Sequence, residues 1–177
     1  MANENDARYE VGTSVLLLQL PDVAPHLKPW SGLWPHDGFT THVTILAPFV
    51  PDAQLDEDVL VELRSLFGGF AAFDVTFAEF ARFPTVLYLP PEPAQPFREM
   101  TAAVYERWPQ YPPYAGKYPD GTPHLSVLYD RTEAENVQAT REIEPRLPLR
   151  ARAAAVDLLI YDGSRWNVRE SFPLAAS

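Results

Sequence analysis

The chain contains the same order of predicted elements twice, at a nearly constant spacing. Each half reads as a strand that carries a histidine, a helix, a long strand, a turn and a return strand. His42 and His124 are 124 − 42 = 82 residues apart, and the predicted helix caps Asp52 and Thr132 are 132 − 52 = 80 apart. We therefore predict a duplicated unit, although few residues are identical between the two halves.

Hydrophobic periodicity and capping signals predict the elements of each half. In the first half we predict four strands, over 11–20, 41–47, 71–82 and 85–89. We also predict one helix, which begins at the N-cap Asp52 and ends at Gly68. Its apolar face consists of Leu55, Val59, Leu63 and Leu66. In the second half we predict a helix over 96–108 and a second helix that begins with the capping box Thr132 and Glu135. The predicted strands cover 124–129, 149–161 and 165–172, and the last two are joined by the Asp162-Gly163 turn.

These elements predict an α+β fold of two pseudo-symmetric lobes of antiparallel sheet, with outer helices around a central cleft. A length of 177 residues suits one domain or two small lobes that share a core. The polar residues 1–10 are interpreted as a flexible N-terminus and 11–174 as a single two-lobed domain. A pseudo-twofold axis would bring the two histidine-bearing strands together at the cleft.

Charge and composition limit the partners that the chain can have. The formal net charge is −10 and no run of Lys or Arg occurs, whereas proteins that hold long nucleic acid usually carry a basic stripe. We expect a small cyclic nucleotide or an RNA terminus as partner, and neither long nucleic acid nor a membrane. The absence of cysteine excludes thiolate catalysis. A cytoplasmic monomer is the expected state.

Two short motifs carry the chemistry that the sequence predicts. Both candidate strands read His, apolar, hydroxyl, apolar: His42-Val43-Thr44-Ile45 in the first half and His124-Leu125-Ser126-Val127 in the second. Residues i and i+2 of a strand lie on the same face, so each histidine points to the same side as its hydroxyl. The apolar residues between them would then point into the core.

Two such histidines suit the cleavage of a cyclic phosphodiester. A base must take a proton from the attacking water and an acid must protonate the leaving ribose oxygen. Histidine serves either purpose because its unperturbed pKa is about 6.5. Thr44 and Ser126 could donate to the phosphate oxygens. No metal or other cofactor is needed for this chemistry. Alternatively, His42 and His124 could be core residues whose hydrogen bonds are satisfied within the protein. Thr44 and Ser126 could likewise be residues that are only compatible with a strand.

Three further residues are candidate contacts for substrate. Trp34 precedes the first motif and could stack on a base, or could cover the edge of the core. Tyr114 and Lys117 precede the second motif on a loop that could border the cleft. Lys117 could offer a cation to phosphate, or could be an ordinary surface lysine.

The chain resembles the 2H phosphoesterase superfamily and, within it, the 2′-5′ RNA ligase-like branch. The resemblance rests on the motif segments THVTILAPF and TPHLSVLYD, on the segment FPTVLYLPPEPAQPFREMTAAVYERWPQYPPY, and on DGSRWNVRESFPL near the C-terminus. It extends over about 11–174 and maps the two motifs onto His42, Thr44, His124 and Ser126.

The resemblance implies metal-independent hydrolysis or transesterification of 2′,3′-cyclic phosphates or 2′-5′ linkages, with the two histidines as acid and base. The sequence does not distinguish the acid from the base. Two other functions stay open: a non-catalytic module that binds a nucleotide or a phosphorylated metabolite, and an RNA 2′-5′ ligase.

Overall fold

A computed structural model describes residues 9–30, 38, 40–118 and 121–177 of the chain. The strands in these ranges are β1 (Ser14–Gln19), β2 (His42–Leu46), β3 (Phe73–Phe77), β4 (Ala81–Phe83), β5 (Val86–Leu89), β6 (Leu125–Tyr129), β7 (Leu149–Ala153), β8 (Ala155–Tyr161) and β9 (Trp166–Pro173). The helices are α1 (Ala24–Leu27), α2 (Glu57–Gly68), α3 (Gln95–Arg107) and α4 (Glu133–Ile143). All pairings between these strands are antiparallel, and the predicted α+β class is confirmed.

The larger sheet has seven strands in the order β4-β5-β6-β2-β1-β8-β9. Without β9, this order is symmetric about the boundary between β6 and β2, since β5 then corresponds to β1 and β4 to β8. β2, which begins at His42, and β6, which begins one residue after His124, are therefore neighbours in the middle of one sheet. They pair antiparallel, with Val43 opposite Leu125.

A second sheet consists of β3 and β7 alone, and it corrects two predictions. The long strands predicted over 71–82 and 149–161 are wrong, because each is divided into two strands that belong to different sheets. β3 and β7 pair with each other, whereas β4 pairs with β5, and β8 pairs with β1 and β9. The partner of a strand is set by distant parts of the chain, and periodicity along one segment carries no information about it.

The start of α2 differs from the prediction that Asp52 caps this helix. Asp52 begins a short 3-10 turn, and the carboxylate of Asp56 accepts the capping bond from the Val59 backbone N at 3.0 Å. Leu55 precedes the helix and is buried together with Leu60. These residues hold the N′ and N4 positions, at which a hydrophobic staple fixes the entry of the chain into a helix.

The helices α3 and α4 agree with their sequence signals. Phe97, Met100 and Val104 of α3 are fully buried. The predicted capping box at the start of α4 is confirmed, because Thr132 and Glu135 exchange both reciprocal bonds. None of the described helices is long and apolar enough to cross a membrane.

The main core lies on one face of the seven-stranded sheet. It contains buried residues from all four helices and the alternate residues of β2 and β6 that the motifs predict to point inward, namely Val43, Ile45, Leu125 and Val127. These four side chains are at most 2% exposed. The residues between them consequently point to the opposite face. A smaller cluster of buried residues, which includes Leu17 and Trp166, covers part of that face.

Candidate functional site

Four side chains meet on the face of β2 and β6 that is turned away from the main core. The pairing of Val43 with Leu125 places His42 opposite Ser126 and Thr44 opposite His124. The histidines thus lie on one diagonal of this four-residue group and the hydroxyls on the other. Diagonal neighbours in an antiparallel pair lie about 7–8 Å apart, with their Cβ atoms somewhat closer, a separation that lets two imidazole rings reach one phosphate. All four residues are partly exposed.

The two histidines are held by the same local contact. Nδ1 of His42 lies 2.8 Å from the carbonyl oxygen of Thr40, and Nδ1 of His124 lies 2.8 Å from that of Thr122. A carbonyl oxygen can only accept, so Nδ1 carries the proton in each neutral ring. Nε2 is then the nitrogen that can take up a proton, and both histidines present the same atom for acid–base work.

Aromatic rings surround His124. The centroid of its imidazole lies 5.1 Å from that of Phe83, 5.6 Å from that of Tyr88 and 6.4 Å from that of Tyr114, whose ring is nearly parallel to it. Burial lowers the pKa of His124 from the usual 6.5, although the bond to the Thr122 carbonyl acts in the opposite direction. Desolvation therefore favours a neutral imidazole, which is the form that a base requires.

The structure brings Tyr114 to this site on a 3-10 turn over Pro113–Gly116. Its backbone N donates to the carbonyl of Ala47 at 2.7 Å, and its phenol is hydrogen-bonded to the side chain of Thr44. Burial raises the pKa of Tyr114 to about 12, so the phenol stays protonated at neutral pH. Tyr114 and Ala115 both have a φ of 53°, a conformation that non-glycine residues adopt rarely and at a cost.

The other two candidate contacts have different outcomes. Lys117 follows the same turn, where its backbone N donates to the Tyr114 carbonyl at 3.1 Å and its side chain is exposed. The structure thus places Lys117 on the surface of the loop that carries Tyr114. Trp34 lies outside the described residues.

A polar pair that the motifs do not predict lies beside His42. Gln19 is opposite His42 in the pairing of β1 with β2, and its Nε2 donates to Oδ2 of Asp157 at 2.8 Å. Its Oε1 accepts from the Thr40 backbone N at 3.0 Å. The sequence signal for this pair is a polar residue within an apolar strand, since Asp157 is the one charged residue of β8.

Among the described residues, the contacts of the two histidines therefore differ, although their strands are related by symmetry. His124 lies among Phe83, Tyr88 and Tyr114, and His42 lies beside an amide that contacts a carboxylate. No group of three or more His, Asp or Glu side chains with metal-binding geometry occurs in the part of the chain that the structure describes. The arrangement can supply two imidazoles and up to three hydroxyls to an anion bound between β2 and β6.

Comparison with known proteins gives a family model and a set of similar structures. The model described as the 2′-5′ RNA ligase superfamily matches residues 24–165. No curated protein matches the chain.

The solved structures that resemble the chain include TT0787 of Thermus thermophilus, at 19% identity and a TM-score of 0.63, over 93% of this chain and 99% of that one. E. coli LigT complexed with 3′-AMP resembles it at 16% identity and a TM-score of 0.58, over 93% and 99% of the two chains. A crystal structure titled as a phosphoesterase does so at 14% identity and a TM-score of 0.60, over 94% and 99%. At these identities the likeness shows a common fold.

Proposed function

Because the chain belongs to the 2′-5′ RNA ligase superfamily, that of the 2H phosphoesterases, we propose that it is a metal-independent phosphodiesterase. Its substrates would be 2′,3′-cyclic phosphates or 2′-5′ linkages of nucleotides or RNA ends. The observation that carries the proposal is the pair of imidazoles on two adjacent strand segments, one at the start of β2 and one directly before β6, each held through Nδ1 by the carbonyl two residues before it. The complex of E. coli LigT with 3′-AMP supports a small nucleotide as ligand.

The proposed hydrolysis of a 2′,3′-cyclic phosphate needs one neutral and one protonated histidine. The neutral ring takes a proton from water at Nε2 while the water oxygen bonds to phosphorus. The bond from phosphorus to one ribose oxygen breaks, and that oxygen takes the proton from Nε2 of the second ring. The product is a nucleoside 2′- or 3′-monophosphate. The two rings have then exchanged protonation states, and exchange with solvent restores them.

The surroundings of His124 assign the roles of the two histidines in this proposal. His124 is the base, because burial among aromatic rings lowers its pKa and keeps Nε2 free of a proton near neutral pH. His42, the other ring of the pair, is then the acid that protonates the leaving oxygen.

This assignment predicts the pH dependence of kcat/KM. Activity should rise with pH as His124 loses its proton, with a midpoint below 6.5, and fall at higher pH as the general acid loses its own. In the residual activity, His124→Ala should abolish the rising limb and His42→Ala the falling limb. Profiles of the three proteins between about pH 5 and 9 measure this. Loss of the rising limb in His42→Ala instead would reverse the assignment.

Removal of the hydroxyls should lower kcat more than it raises KM. Thr44→Val and Ser126→Ala each remove a donor to a phosphate oxygen whose charge grows in the transition state. A loss of one such donor costs about 10²–10³-fold in kcat. Ser65→Ala removes an exposed hydroxyl on α2 and is the matched control. Steady-state kinetics on 2′,3′-cyclic AMP give both constants, and full activity in Thr44→Val and Ser126→Ala would remove these residues from the mechanism.

The function itself is tested by a turnover assay on the four 2′,3′-cyclic mononucleotides and on a 2′-5′-linked dinucleotide, with chelator present. We expect a nucleoside monophosphate from at least one cyclic substrate, and no effect of the chelator. Thermal stabilisation by these compounds without any product would instead favour a binding module. Joining of RNA ends in place of hydrolysis would favour a ligase.

A further inference from the structure

A chain of three hydrogen bonds connects Asp157 to His42. Oδ2 of Asp157 accepts from Nε2 of Gln19 at 2.8 Å, and Oε1 of Gln19 accepts from the backbone N of Thr40 at 3.0 Å. The carbonyl of Thr40 then accepts from Nδ1 of His42 at 2.8 Å. The chain begins on β8, crosses β1 and ends at the histidine of β2, so it joins three adjacent strands of the large sheet.

Each bond in this chain fixes the direction of the next one. An ionised carboxylate only accepts, so Asp157 holds the NH₂ group of Gln19 towards itself and turns the amide oxygen towards Thr40. The following residue is held as well: the Thr41 hydroxyl donates to the Leu20 carbonyl at 2.8 Å, and the Leu20 backbone N donates to the Thr41 carbonyl at 2.7 Å. The Thr40 carbonyl is therefore kept in place for Nδ1 of His42.

The equivalent positions in the other half of the sheet hold side chains that cannot form the same chain of bonds. Gln19 lies opposite His42, and one further step along the pairing of β5 with β6 places Pro90 opposite His124. Asp157 lies opposite Leu17, and the equivalent position on β4 is Ala81, opposite Tyr88. Proline and alanine side chains carry neither an amide nor a carboxylate.

We infer that Gln19 and Asp157 are positioning residues for His42. They fix the Nδ1–H tautomer and the orientation of this one imidazole, whereas His124 is oriented by its backbone contact and its aromatic neighbours. The importance of the tautomer for catalysis rests on the proposed function, but the tautomer itself does not. A spectroscopic measurement can therefore test the inference even if the protein has another activity.

The first test reads the tautomer of each histidine directly. Long-range ¹H–¹⁵N spectra at about pH 8, where an unperturbed imidazole is neutral, distinguish a protonated Nδ1 from a protonated Nε2. His42→Gln and His124→Gln variants assign the signals. In the unaltered protein both rings should show the Nδ1–H form. Gln19→Ala should move His42 alone towards a mixture of tautomers, and His124 serves as the internal control.

A double substitution that exchanges the amide of Gln19 with the carboxylate of Asp157 gives a sharper test. Gln19→Glu places two carboxylates side by side and should disturb His42 as Gln19→Ala does. Adding Asp157→Asn should restore the single tautomer, because the new amide donates to the new carboxylate, which still accepts from the Thr40 N–H. If the protein is a phosphodiesterase, kcat should fall about 10-fold or more in both single variants at position 19, with little change in KM. It should recover in the double variant.

Two results would overturn the inference. One is an unchanged His42 signal in Gln19→Ala and Gln19→Glu proteins that fold normally by thermal unfolding. The other is an equal change at both histidines, because a general loosening of the sheet would then explain it. Absence of turnover with a His42 signal that follows the substitutions would reject the phosphodiesterase function and leave the positioning role intact.

Discussion

His42→Ala and His124→Ala should each lower kcat by about 10²–10⁴-fold while the protein stays folded. In the proposed mechanism, either substitution removes one of the two proton transfers and leaves the hydroxyls of Thr44 and Ser126 in place. Both side chains are partly exposed, so we expect their loss to cost less stability than the loss of a fully buried side chain. The measurement is steady-state hydrolysis of 2′,3′-cyclic nucleotide, with thermal unfolding of each variant as the test of folding.

The double variant and a surface histidine supply the controls. His26 lies on α1 with an exposed side chain, and His26→Ala should keep full activity. Groups that act as a unit have non-additive effects, so the double variant should lose little more than either single variant. Activity near that of the unaltered protein in either single variant would contradict a mechanism that uses both rings.

Phe97→Ala should lower the free energy of unfolding by about 3–5 kcal/mol. Phe97 is fully buried on α3 and packs edge-on against Phe73, at a centroid distance of 5.2 Å. The helix α3 also packs against β2, which carries His42, and the Thr101 hydroxyl donates to the Ile45 carbonyl at 2.7 Å. Urea unfolding measures the change as a lower midpoint with an unchanged slope.

An exposed aromatic residue on the same helix gives the matched control for this substitution. Tyr105 is 41% exposed, and Tyr105→Ala should change the free energy of unfolding by no more than about 0.5 kcal/mol. A loss below about 1 kcal/mol in Phe97→Ala would mean that α3 is not packed as described.

The features that are predicted well from sequence depend on residues close together in the chain. The apolar face of α3 and the capping box of α4 repeat over three or four residues, and both occur as predicted. The alternation in the two motifs also predicts the burial of Val43 and Leu125 in the core. Each of these patterns is determined by residues of a single helix or strand, so its physical cause is local.

The division of the two long strands depends instead on contacts between distant segments. It follows from the pairing of β3 with β7, in which Asp74 lies opposite Arg152, 152 − 74 = 78 residues away. Thr76 lies opposite Arg150 in the same ladder, 150 − 76 = 74 residues away. The periodicity of one segment carries no information about a partner this far away in the chain, so the sequence predicts one continuous strand for each segment.

The polar neighbours of His42 could not be predicted from sequence for the same reason. Gln19 and Asp157 are 157 − 19 = 138 residues apart, and only the pairing of β1 with β2 and β8 brings them beside the histidine. The motifs predict a symmetric site, since they contain the same residue types in the same order. The difference between the two histidines comes from the flanking strands and from the turn that carries Tyr114, which the motifs do not describe.

A titration with inorganic phosphate tests most directly whether both imidazoles face one phosphate. The imidazole signals of His42 and His124 are followed in ¹H–¹⁵N spectra as phosphate is added. Both rings should respond with one shared dissociation constant, and His42→Gln should weaken the response of His124, because a single anion contacts both. A response confined to one ring, or two different dissociation constants, would contradict a phosphate site shared by the two halves of the sheet.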